Sequence, residues 1–230
     1  MNKDHSKLTG PIWGAHIFQF DSDIEKELQM WWKGLFLVDK LARKIYEQLS
    51  SDIVLWRLHR RASVEPPGHQ LTLFYYATNE TQNTILGMIK KSNAVKLLDR
   101  TGILKKNHFV NLGSDIDVTS DKKWPPELQK TWPHFADGLS TSYLGLIELI
   151  KKRFGINHDV IPPIRVDTSE TTIKELISGI AINYIKLLEK TDNLWSEHGS
   201  HAYFHHTNAI FNYHTTRIYP RRLFMFENTL

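Results

Sequence analysis

"DIVLWRLHRRASVEPPGHQLTLFYYA", residues 52–77, holds two runs rich in β-branched and aromatic residues on either side of a Pro-Pro-Gly break. Proline supplies no N–H for a ladder and glycine turns the chain, so the break can continue neither a strand nor a helix. Residues 52–61 and 69–77 are therefore expected as two strands of an antiparallel ribbon. A strand alternates its side chains. Val54, Trp56 and Leu58 are expected on one face, and Arg57, His59 and Arg61 on the other. In the return strand Leu71, Leu73 and Tyr75 share a face, and Thr72, Phe74 and Tyr76 take the opposite one.

Upstream, "PIWGAHIFQF" (11–20) reads as another strand, and the spacing after it predicts a long helix. Ile24, Leu28, Trp31, Leu35, Val38, Ala42, Ile45 and Leu49 recur three and four residues apart, as the inward stripe of a helix does. Downstream, Thr78 or Asn79 caps a second helix that is expected to split near Ser92–Asn93. "ILKKNHFVNL" (103–112) follows as a fourth strand. The order β-α-β-β-α-β over residues 1–112 is the ferredoxin-like arrangement, a four-stranded antiparallel sheet with two helices on one face. The fold class expected is α+β.

Residues 113–123 are polar and lead to a Pro-Pro break, which reads as a linker. Residues 124–230 are expected as a unit of three or more helices packed on the sheet. One of these is read with Leu139, Tyr143, Leu146, Ile150 and Phe154 on its apolar side. Another is read with Ile173, Leu176, Ile177, Ile180, Tyr184, Leu187 and Leu188 inward. The carboxylates of "GSDIDVTSD" lie on a Gly/Ser-rich connection and read as loop, not as a cation site.

"SEHGSHAYFHHTNAIFNYHTTR" (196–217) has no Asp, Glu, Lys or Arg between Glu197 and Arg217. At about 100° per residue, His201, His205, Asn208 and Asn212 form one polar stripe beside an aromatic face. His201 and His205 have the spacing of paired zinc ligands, but the stretch reads "HAYFH" and lacks the intervening glutamate of zinc hydrolases. No metal site is assigned, and the cofactor is left unknown. Uncharged polar side chains suit a semi-buried groove, where hydrogen bonds form without desolvating a full charge.

The chain has 230 residues, 41% of them apolar and 23% charged, with a formal charge of +4 and no cysteine. Disulfides, thiolate catalysis and cysteine-ligated metals are excluded. Neither a signal peptide nor a stretch of eighteen apolar residues is found, which sets the expectation of a cytoplasmic protein with no membrane partner. P-loop, GxGxxG, GxSxG and kinase motifs are absent. RNA binding is disfavoured because "LFYYA" lacks the glycine and basic residues of the usual aromatic RNA-binding strand.

The ribbon "LWRLHRRASVEPPGHQLTLFYYA" resembles domains of enzymes that tailor ribosomally made peptides. No catalytic residue matches, and no role is carried over. Two function classes remain. The first is a small-molecule or peptide-modifying enzyme with a cleft between sheet and C-terminal helices. In it Arg57 and Arg61 take an anionic group, His59 and His205 transfer protons, and Tyr75, His201, Asn208 and Asn212 contact the ligand. The second is a binding or assembly protein that meets a protein partner, or a second copy of itself, through the open sheet or a helical face.

Overall fold

The computed structural model describes residues 10–21, 27–61, 68–156, 161–165, 167–194 and 197, with backbone alone for 27–30. The chain forms two compact units, Met1–Leu188 and Glu189–Leu230. Every site discussed below belongs to the first; the described part of the second is residues 189–194 and 197.

Four strands, β1 (Ile12–Phe20), β2 (Ile53–Arg61), β3 (Gln70–Ala77) and β4 (Leu104–Gly113), pair antiparallel in the order β2-β3-β1-β4. Between β1 and β2 run α1 (Glu27–Leu37), a π-helical turn (Val38–Ala42) and α2 (Arg43–Leu49). Between β3 and β4 run α3 (Asn79–Lys91) and α4 (Asn93–Arg100). This is the ferredoxin-like topology that the sequence order predicts. The helices divide at Ser92, whose hydroxyl caps α4 by accepting from the Val95 N–H. Thr78 caps α3 in the same way, accepting from the Thr81 N–H.

One sheet face carries Gly14, His16, Phe18, Leu71, Leu73, Tyr75, Trp56, Leu58, Arg60 and Phe109, placed together by the strand register. The helices cover it. Tyr46 of α2 stacks on Trp56 with ring centroids 4.9 Å apart, and a Cβ at Gly14 would meet Tyr75, Gln82 and Phe109 within 2.8 Å. Glycine at 14 is what lets those three side chains close over the strand.

Beyond the sheet come α5 (Pro126–Phe154) and α6 (Glu170–Leu194). Strand β2 lies at the sheet edge, and a free edge exposes backbone N–H groups that invite pairing with another chain. Here α5 satisfies two of them. Trp56 N–H donates to Asp137 Oδ1 at 3.0 Å and Leu58 N–H to Ser140 Oγ at 3.0 Å. The spacing i, i+3 on the helix matches i, i+2 on the strand. Trp56 adds a side-chain bond from its indole N–H to Thr141 Oγ1 at 3.1 Å.

Two expectations are corrected here. The buried side of α5 is Pro133, Ala136, Ser140, Leu144, Ile147 and Ile150, while Leu139 and Phe154 are exposed. The face that meets the strand edge is chosen by hydrogen bonding, so small and polar residues outcompete leucines there. In β2 an irregularity between Ile53 and Leu55 breaks the alternation, and Val54 is exposed instead of sharing the face of Trp56 and Leu58.

Helix α5 also carries Pro133 in its interior, where the missing N–H strands the carbonyl four residues back. That carbonyl belongs to Gln129, and the buried Ser120 hydroxyl donates to it at 2.6 Å.

The helices are joined at Asp39, in the π-helical turn. Its carboxylate, 1% exposed, accepts from Lys151 of α5 at 3.0 Å, from Tyr184 of α6 at 2.5 Å and from Arg43 at 3.2 Å. Lys40 lies 3.3 Å away. Burial pushes this carboxyl up, but the Tyr184 hydrogen bond and the Lys40 and Lys151 charges outweigh it and hold it below the ordinary range.

Candidate functional site

The face of the sheet away from α1–α4 is where Arg57, His59 and Arg61 lie. Their register partners on β3 are Phe74, Thr72 and Gln70, so no carboxylate stands opposite any of the three. The Arg57 guanidinium lies 4.4 Å from the Phe74 ring centroid, and the His59 ring 6.4 Å from the same ring. Phe74 is therefore a shared floor under both. His59 and Arg61 are exposed. Arg57 is half-buried, its Nε–H has no hydrogen-bond partner, and burial lowers its guanidinium to about 10. A guanidinium carries five N–H donors, and a buried one without an acceptor is costly. The Nε–H is closed off from solvent and has no acceptor within the protein, whereas His59 and Arg61 beside it are exposed.

At the far end the same face is closed. Trp13 packs against Tyr76 with centroids 5.2 Å apart, and its indole N–H donates to the Ile116 carbonyl at 3.0 Å. The Tyr76 hydroxyl donates to the Ser114 carbonyl at 2.8 Å. The segment after β4 thus covers Trp13, while further along the face Arg57 is half-buried and His59 and Arg61 are exposed. Ala15 and Ile17 of β1 and His108 and Val110 of β4 continue this face across the sheet.

Tyr75 is not part of this surface. It lies on the helix side at 3% exposure, stacked with Phe109, and burial raises its hydroxyl above the usual tyrosine range. The aromatic neighbours of Arg57 are Phe74 and Tyr76, because the one-residue alternation sends Tyr75 the other way. His201, His205, Asn208 and Asn212 lie outside the described residues, so the juxtaposition of His59 with His205 does not enter the geometry.

Two basic residues on the helix side escaped the sequence reading. Arg60 spreads its guanidinium 4.0 Å from the Trp31 ring centroid, and its Nη1 has no hydrogen-bond partner. His69 is 3% exposed against Phe20; burial, with the nearby Lys33 and Arg60 charges, lowers it to about 4. His16 is lowered to about 4 by burial first, against the hydrogen-bonding effect of Asn107. The signal for Arg60 was present: it shares strand parity with Trp56 and Leu58, so a charge stood at an inward position.

Among the described residues no group of three or more His, Asp or Glu side chains is placed to hold a metal ion. No helix among them is long and apolar enough to cross a membrane.

No protein-family model matches the chain. No curated protein matches it. Among solved structures it is similar to a dimeric ferredoxin-like protein from an uncultured marine organism, at 14% identity and a TM-score of 0.33. The similarity covers 45% of this chain and 86% of that one.

Proposed function

We propose that the chain binds an anionic small molecule or an acidic peptide on the open sheet face and modifies it there. Arg57 and Arg61 take the anionic group, Phe74 supports the apolar part, and His59 moves a proton. One observation carries the reading: a half-buried Arg57 with an unpartnered Nε–H, in register with residues none of which is acidic. Cations of a merely solvated sheet face are ordinarily fully hydrated or paired with cross-strand carboxylates. In this reading the ligand is a biosynthetic intermediate in the cytoplasm.

The test is calorimetric titration of the full chain with citrate and with a tetraglutamate peptide, repeated in Arg57→Ala and Arg61→Ala. The expected result is saturable binding, weakened about tenfold by either substitution and by added salt. Binding that is absent, or indifferent to both substitutions, removes the proposal.

A second reading, a non-catalytic assembly protein, is favoured by Leu128, Phe135, Leu139 and Leu149, which α5 exposes. It predicts concentration-dependent self-association in sedimentation velocity, abolished by Phe135→Glu with Leu139→Glu.

A further inference from the structure

A groove of about 360 Å³ opens between the π-helical turn with α2 on one side and the α3–α4 junction on the other. It is lined by different elements from those of the Arg57 face. Three lysines, Lys40, Lys44 and Lys91, stand around it, and among the described residues that line it there is no aspartate or glutamate. Gln48, Ser92 and Asn93 add uncharged polar groups, and Leu41, Met88, Ala94 and Ile161 form an apolar wall.

The groove is held in shape by contacts already described. Lys40 is drawn to Asp39 at 3.3 Å, and Asp39 is itself fixed by Lys151 and Tyr184. On the other wall the Asn93 amide donates to the Ile161 carbonyl at 3.4 Å, and Ser92 caps α4. The first-turn amides of α4, at Asn93 and Ala94, belong to residues that line the same space. Helix geometry leaves such amides without intrahelical acceptors and gives that end a positive field.

We propose that this groove binds a phosphorylated small molecule. Lys44 and Lys91 would meet the phosphate beside the α4 amides, and Leu41, Met88 and Ile161 would cover the organic part. Ammonium groups act as point charges that suit a multiply charged phosphate, and a helix N-terminus complements it. The volume fits a metabolite-sized ligand, since such pockets run from roughly 300 to 1,000 Å³. The apolar wall is what separates this assignment from a site for a bare ion.

The test uses phenyl phosphate, inorganic phosphate and benzoate as probes on the full-length chain, read by calorimetry and by backbone amide shifts. Lys44 and Lys91 are exposed, so the double variant Lys44→Ala/Lys91→Ala leaves the core intact. Phenyl phosphate is expected to bind saturably and to move the Ser92–Val95 amides. Its affinity should fall about tenfold or more in the double variant and stay unchanged in Arg57→Ala. Inorganic phosphate and benzoate are each expected to bind more weakly, the first for lack of apolar contact and the second for lack of charge. The proposal is overturned if phenyl phosphate does not bind saturably or if the double variant binds it as well as wild type. Loss of binding in Arg57→Ala alone overturns it too, and equal affinity for inorganic phosphate overturns the small-molecule assignment.

Discussion

Asp39 shows how one residue can decide a local structure. Removing its carboxylate takes the Asp39 charge away from Lys151, a buried cation, and the Asp39 acceptor away from the Tyr184 hydroxyl. Asp39→Ala is expected to lower the free energy of unfolding by about 3–5 kcal/mol, the usual cost of breaking a buried ion pair on one side. Urea denaturation followed by tryptophan fluorescence measures it, and a change under about 1 kcal/mol would mean the pair is hydrated. Nothing in the sequence marked this aspartate. It falls within a helical stripe between Val38 and Lys40, and besides the local Lys40 and Arg43 its partners Lys151 and Tyr184 lie more than a hundred residues away. Local periodicity carries no information about contacts at that separation. By contrast, the outward placement of Arg57, His59 and Arg61 was legible, because alternation in a strand is a local property and the Pro-Pro-Gly break bounded the strand. Tyr75 was legible as a companion of Leu71 and Leu73, and that parity sets it on the helix-covered face, away from Arg57.

At the scale of elements, α5 was legible as a helix but its orientation was not. Its apolar stripe predicted a leucine-rich contact, whereas the strand edge selected Asp137 and Ser140 as acceptors for Trp56 and Leu58. Ser140→Ala leaves the Leu58 N–H without its acceptor and is expected to cost about 1–3 kcal/mol. Ser120→Ala strands the Gln129 carbonyl below Pro133 and is expected to cost a similar amount, about 1–3 kcal/mol. Combining Ser120→Ala with Pro133→Ala restores the helix's own N–H donor, so part of the loss should return. Denaturation midpoints of the two single variants and the double variant check this. No recovery would mean that the Ser120 hydroxyl does not serve that carbonyl.

For the whole first unit, the order of strands and helices was readable from turn chemistry and periodicity, since each element announces itself within its own few residues. How the sheet's second face is used was not, because it depends on what later segments cover. The unit's response to acid follows from two histidines. His16 and His69 have folded-state values of about 4 against an ordinary 6.5, so the unfolded chain takes up their protons first as pH falls. Stability is therefore complete above about pH 6.5 and lost on the way down to about pH 4, by up to about 1.4 kcal/mol per pH unit for each histidine. Unfolding midpoints collected across that window should fall steadily, and His16→Phe should flatten the decline; a flat wild-type profile would show that both rings are solvated. The open face itself is tested most directly by NMR of the arginine Nε–H groups during titration with the tetraglutamate peptide. The Arg57 Nε–H resonance is predicted to shift in a saturable way together with the ring signals of His59 and Phe74. A peptide that leaves the Arg57 resonance unmoved at saturating concentration would contradict the account.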